Sequence, residues 1–381
     1  MLAGYPPGLF TQKLHASIEL MHRYVLELAS ELLQRLGVTA KLDSWREPDE
    51  LCRAMSFEPG FCTTLRWLLD DAVELGYLEM KETGGCRSYR LLRASWSPEL
   101  PKLRALGLTI DPANAATLDL LDHAASIYPG VARGEVAADL ALFDPESIGL
   151  WLAYFHNDNS TYAVNNWTGA LAAVDRLSDR PKIRILEIGA GAGSGSEILL
   201  RLLSERGLVP RIERYLVTEP SPFFLRRAQR ELQRRYAGLP LAFGALDINR
   251  EWAAQGAPEG EFDLVYGINV LHVARDLAYS LGEARTALAD DGWLVIGECL
   301  QSSRRKPIFP ELIFQILESF RNVQTDPAFR PSPGFLTPGE WRLALARGGF
   351  QAGEVEPDVE RISELCPNFL AGAVCAQKMP V

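Results

Sequence analysis

The chain has 381 residues, 47% of them hydrophobic and 23% charged, which excludes a disordered polar chain and leaves ample apolar material for a large core. Its formal charge of -10 excludes a surface built around a nucleic-acid backbone, because such surfaces cluster Lys and Arg. The opening MLAGYPPGLF lacks a basic stretch followed by an apolar core, and no apolar run nears the ~20 residues of a membrane helix. A cytoplasmic protein acting on small or protein-tethered substrates is expected, with no nucleic-acid or membrane partner.

Helical apolar spacing runs from about Leu14 to Leu36. PDELCRAM and FCTTLRWLLDDAVELGYLEM then read as two helices about a turn at SFEPG, and YLEMKETGGCRSYRLL as a hairpin turning on TGG. This is the order of a winged helix, assigned to residues 1-93. Between Lys41 and Arg93 there are eight basic and ten acidic residues, so a scaffold or dimer-forming role is expected rather than DNA reading. Six cysteines form no C-x-x-C pair and five histidines are scattered, so neither a disulfide framework nor a metal site is expected. Residues 94-180 form a helical lid and lead-in that ends in WLAYFHNDNSTYAVNNWTGALAAVDRL.

From residue 181 to 381 short apolar runs alternate with helices, from IRILEIG through FDLVYGI to WLVIGEC, the pattern of an α/β doubly wound parallel sheet. Near the end, TPGEWRLALARGG carries a capping Thr337, Pro338 in the first turn, Glu340 completing a capping box, and Gly348 or Gly349 to stop the helix. FLAGAVCAQ is expected as the last strand.

Ligands of such sheets sit at the strand carboxyl ends, where LEIGAGAGSGSE falls. Gly189, Gly191 and Gly193 permit a tight turn and close approach to a ligand. The dinucleotide pattern G-x-G-x-x-G fails, since Ser194 or Ser196 stands at its third glycine. What remains is E-x-G-x-G-x-G with Glu187 on the strand, and a carboxylate there suits a ligand bearing ammonium and sulfonium charges, S-adenosylmethionine. After the next strand, Glu219 can accept both hydroxyls of a ribose, and GALDIN is expected to end the third strand with Asp247, whose carboxylate can meet an adenine amino group with Ile248 packed on the ring. Any one such acid is more often a solvated turn residue; their order is that of a class I methyltransferase, with seven strands, the last antiparallel.

ILEIGAGAGSGSEILL, VTEPSPFFLRRAQREL, FDLVYGINVLHVARDLAYSLGEARTALADDGWLVIGE and LTPGEWRLALARGGF closely resemble the C-methyltransferase domains of polyketide synthases. The resemblance is strong from about Pro181 to Phe350 and looser upstream. It implies that His272 of NVLH is a general base and that Glu298, ending the following strand, pairs with it. It also implies a β-ketoacyl substrate methylated at its α-carbon, an acyl carrier protein or other synthase domains as partners, S-adenosylhomocysteine (SAH) as product, and no metal. A lid tyrosine, Tyr154 or Tyr162, would stand near the reacting carbon, and Asn269 would contact the cofactor or the loop backbone. The chain departs from the family in having Glu219 where Asp is usual, and in lacking tryptophan in the segment after Glu298. The bland alternative is that His272 caps its loop and Glu298 faces solvent. Competing functions are a small-molecule O-methyltransferase using the same pair, a non-catalytic pseudo-methyltransferase, and a fold using the cofactor as an electrostatic aid to cyclisation.

Overall fold

Two compact units arise from an interleaved chain: one comprises Met1–Thr11, Phe155–Lys306 and Asn322–Val381, the other Gln12–Tyr154 and Pro307–Arg321. The computed structural model describes residues 2, 4–92, 97–304, 306–350 and 353–379. The expected boundary between residues 93 and 94 lies outside the described residues.

The second unit is mainly helical. Its longest helix, Gln12–Arg35, buries an apolar face that includes Leu14, Ile18, Met21, Val25 and Leu32, and Tyr24 donates to Asp122 Oδ1 at 2.6 Å on helix Ala115–Ala132. Helices Pro48–Met55 and Phe61–Glu74 are followed by an antiparallel hairpin, β1 (Leu78–Thr83) and β2 (Cys86–Leu91), whose turn uses Gly84 and Gly85 at φ 62° and 81°. The absence of disulfides expected from the spacing does not hold: Cys52 and Cys62, on these two helices, are paired with Cα atoms 5.9 Å apart. The turn between the helices, not a short cysteine spacing, brings them together. Residues 307–321 return to this unit, where Trp67 Nε1 donates to Glu311 Oε2 at 2.6 Å, Thr64 Oγ1 to the Gln315 carbonyl at 2.8 Å and Tyr128 to the Leu312 carbonyl at 2.5 Å.

The first unit is built on a seven-stranded sheet of β3 (Ile183–Ile188), β4 (Ile212–Thr218), β5 (Leu241–Gly244), β6 (Phe262–Ile268), β7 (Leu288–Cys299), β8 (Gly353–Glu356) and β9 (Ala371–Gln377). Its order is β5-β4-β3-β6-β7-β9-β8; β9 runs antiparallel to both neighbours, and the pairs from β5 to β7 are parallel. The chain winds outward from β3 in both directions, so a crevice opens at the carboxyl ends of β3 and β6. β3, β4 and β6 are almost continuously buried, as strands covered on both faces must be. The capping box at Thr337 and Glu340 is formed, and Thr337 Oγ1 accepts from the Glu340 N–H at 3.3 Å. Among the described residues no helix is long and apolar enough to cross a membrane.

Helix Ser160–Leu177 lies close against β6 and β7 because two glycines meet: a Cβ at Gly169 would stand 2.7 Å from Ile268 Cδ1 and 3.1 Å from Gly297 Cα. The end of the Ile268 side chain can turn aside, but the Gly297 Cα and N, at 3.1 and 3.2 Å, are backbone. Gly169→Ala is therefore expected to lose about 1–3 kcal/mol of stability by overpacking, despite alanine's better helix propensity. An unchanged urea midpoint would show that the helix can step back without penalty.

Candidate active site

The first turn after β3 is forced into left-handed backbone. Gly189 has φ 61° and Gly191 φ 53°; a Cβ on Gly189 would sit 2.5 Å from Val270 Cγ2, whereas one on Gly191 meets nothing within 4 Å. Gly189 is thus required by packing, and Gly191 borders open space. Gly193, at φ 90°, precedes helix Ser194–Glu205.

Glu187 is buried on β3 with one carboxylate oxygen, Oε2, accepting from Ser196 Oγ and from the Tyr215 hydroxyl, both at 2.6 Å. The serine that breaks the dinucleotide pattern is therefore a hydrogen-bond donor to the glutamate that precedes the glycines. Burial pushes the Glu187 carboxyl up to about 7, against the two hydroxyl donors, and the nearby Glu219 charge adds to the rise. Asn166 lies alongside: a Cβ on Gly195 would be 3.6 Å from Glu187 Oε1 and 3.7 Å from Asn166 Oδ1. That amide oxygen is buried without a partner among the described residues, while its nitrogen donates to Asn157 Oδ1 at 2.8 Å.

Glu219 follows β4 and closes the loop. Its Oε2 accepts from the Gly191 N–H at 3.0 Å and its Oε1 from the Ser221 N–H at 2.9 Å. Burial raises its carboxyl, with those two donors opposing. β5 ends at Gly244, earlier than the sequence pattern implied, so Asp247 stands beyond the strand in a turn of its own. There its Oδ1 accepts from the Asn249 N–H at 2.9 Å and its Oδ2 is 3.4 Å from Arg250 Nε. Ile248 is buried, its carbonyl accepting from Ser280 Oγ at 2.9 Å.

The exit of β6 holds the second cluster. Asn269, at φ 51°, donates its N–H to the Gly297 carbonyl at 2.7 Å and accepts from the Cys299 N–H at 2.8 Å, locking the ends of β6 and β7 together. His272 sits on the short turn Leu271–Val273, with Nδ1 2.7 Å from Glu298 Oε2. The other carboxylate oxygen of Glu298 takes the N–H groups of Val270, Leu271 and His272 at 3.2, 3.0 and 3.4 Å. Glu298 is 0% exposed and His272 4%. Glu298 does not face solvent. A carboxylate only accepts, so the proton of the imidazole belongs on Nδ1 and its lone pair on Nε2.

The two lid tyrosines part company. Tyr154 belongs to the helical unit, buried edge-on to Trp151 with ring centroids 6.2 Å apart. Tyr162 belongs to the sheet unit and packs on Phe155, centroids 5.2 Å apart. Burial pushes its phenol up, its hydrogen bond with Ser194 opposing and the charges of Glu187 and Glu219 adding to the rise. Tyr162 thus shares the electrostatic surroundings of the glycine loop.

Residues 186–294 match the family described as Methyltransferase domain. The chain is 30% identical over 220 residues to a highly reducing polyketide synthase of Pyrenophora dematioidea, a stretch that is 56% of this chain and 8% of that protein. The chain spans between 6% and 10% of the length of the curated relatives it matches. Among solved structures it is similar to the CurJ carbon methyltransferase, with TM-score 0.80 and 24% identity, covering 98% of this chain and 94% of that one. It is also similar to the trans-methyltransferase CalH in complex with SAH, with TM-score 0.60 and 20% identity, covering 96% of this chain and 90% of that one. Residues 186–294 are therefore similar to a methyltransferase domain, the relatives named are polyketide synthases, and the fold is one shared with solved carbon methyltransferases.

Proposed function

We propose that this chain methylates the α-carbon of a β-ketoacyl thioester, carried on an acyl carrier protein, with S-adenosylmethionine as methyl donor. The observation that carries the reading is the buried His272–Glu298 pair at the ends of β6 and β7, in the same crevice as the glycine loop after β3.

The residues of the loop fit the donor. Gly191 borders unfilled space, Glu187 Oε1 and the unpartnered Asn166 oxygen are acceptors suited to an ammonium group, and each oxygen of Glu219 accepts one backbone N–H, leaving lone pairs for ribose hydroxyls. Asn269 serves the strand ends in this reading, and Tyr162 is the tyrosine assigned to the reacting end. When bound, S-adenosylmethionine supplies a methyl group made electrophilic by the sulfonium charge. The work of this chain is to make the acceptor nucleophilic. Nε2 of His272 takes the proton from the carbon between ketone and thioester, and the electron pair left behind is then available to the methyl group. Glu298 holds the tautomer through Nδ1 and stabilises the imidazolium that forms.

Three outcomes test this. His272→Ala should keep cofactor affinity near that of the native protein by calorimetry while turnover of a carrier-bound β-ketoacyl chain falls about 10²- to 10⁴-fold. Glu298→Gln should lose activity mostly in kcat, and the double variant should be little worse than His272→Ala, because the orienting group then has nothing to orient. Losses that multiply would give Glu298 an independent role. Mass analysis should place the methyl on the α-carbon; a methyl ether or ester product would instead establish O-methylation.

Cofactor affinity should depend on pH through Glu187. With its ligand-free value near 7, above the ordinary carboxylate range, the group is largely protonated at pH 6 and must lose that proton to pair with an ammonium. Affinity should rise as pH increases from 6 to 8, and Glu187→Gln should bind more weakly with that dependence flattened. Equal affinity of the native protein at both pH values would remove Glu187 from the binding site. Gly191→Val should abolish binding outright, since it fills the space left for the ligand.

A further inference from the structure

We infer that Arg330 is a positioning residue for His272: its buried guanidinium grips the carbonyl side of the turn that presents the imidazole. The inference rests on reading His272 as the base. Arg330 is 0% exposed, and it donates from Nη1 to the Ala274 carbonyl at 2.5 Å and from Nη2 to the His272 carbonyl. The turn is thereby held from both sides, since the N–H groups of Val270, Leu271 and His272 already go to Glu298. An anion takes the amides and a cation takes the carbonyls, which leaves the backbone around the ring little freedom to shift.

The segment that delivers Arg330 is shaped for the purpose. Asp326 and Arg330 exchange backbone hydrogen bonds at 2.9 and 2.8 Å, and the Gln324 N–H donates to the Arg275 carbonyl at 2.7 Å, fastening the segment to the far end of the same turn. Further on, Phe335 lays its ring on His272 with centroids 4.3 Å apart at 32°, and its carbonyl accepts from Arg304 Nη1 at 3.0 Å. One stretch of chain therefore fixes the backbone of His272 through Arg330 and its ring through Phe335.

Stability alone does not favour such an arrangement. Burial pulls the Arg330 guanidinium down to about 10, the charge of Arg304 acting in the same direction and those of Glu298 and Asp276 opposing. It remains a cation at neutral pH, and its Nε has no hydrogen-bond partner among the described residues. An apolar side chain in that place would avoid the desolvation of a charge and the unmet donor. What it could not do is hold two carbonyls at once.

The test compares Arg330→Met and Arg330→Lys with His272→Ala in methyl transfer to a carrier-bound β-ketoacyl chain, with cofactor binding by calorimetry and folding by thermal melts. Arg330→Met should leave cofactor Kd and substrate KM within about twofold and lower kcat about 10- to 100-fold, the scale of an ångström-level displacement of a catalytic group. Arg330→Lys keeps the charge and should recover part of kcat. In the His272→Ala background, Arg330→Met should cost no further turnover. Native kcat in folded Arg330→Met, a loss confined to KM or cofactor affinity, or an equal loss without His272 would each overturn the inference. If Arg330→Met does not fold, Arg330→Lys decides: native kcat, or failure to fold as well, assigns the residue to the core and overturns the positioning role. Full turnover by His272→Ala would remove the base assignment, a separate failure visible in that variant alone, and the inference would fall with its premise.

Discussion

A carboxylate that has lost all contact with water must collect donors, and Glu298 at the end of β7 collects four of them: three consecutive backbone amides and one imidazole. Those amides belong to the chain leaving β6, so the hydration demand of one side chain dictates where that chain turns. Asn269 makes the turn possible. It is one of the few residues other than glycine in left-handed backbone, and its side chain returns to the Cys299 amide to hold β7 alongside. The ring of His272 stands where it does because peptide groups on either side of it are already committed.

The same logic shapes the glycine loop. Glu219 takes an amide from the loop and another from its own turn, and Glu187 takes two hydroxyls from neighbouring elements. All three acids are joints of the scaffold. Under the proposed function, replacing one of them changes the fold as well as the site, which is why measurements that separate binding, turnover and folding are needed at each position.

Much of this architecture is legible in the order of residues. Strand and helix alternation marks the sheet, the run of glycines marks the crevice, and Thr337, Pro338 and Glu340 announce their helix, because each is a local pattern with a local cause. The pairing of His272 with Glu298 was legible only by resemblance, since nothing within β6 or β7 states which residues meet at their ends. Arg330 has no such signal. Its segment lacks periodicity, and its partners are main-chain carbonyls that any residue would supply. The Cys52–Cys62 pair and the early end of β5 escaped for a related reason, both being set by how neighbouring segments pack. Between Tyr154 and Tyr162 spacing could not choose, as the two lie close in sequence but in separate units.

The interleaving of the two units imposes an order on synthesis. The helical unit takes Pro307–Arg321 as a part of itself, hydrogen-bonded through Trp67, Thr64 and Tyr128, so during translation it stays incomplete until the start of β3 and the whole of β7 have left the ribosome. β9, which lies between β7 and β8, comes later still. Neither unit can be finished before the other is begun, and the 186–294 stretch that carries the family pattern omits helix Ser160–Leu177, β8 and β9. A fragment cut to that pattern would leave one face of β6 partly uncovered and one edge of β7 unpaired, the condition in which nascent sheets seek partners in other chains.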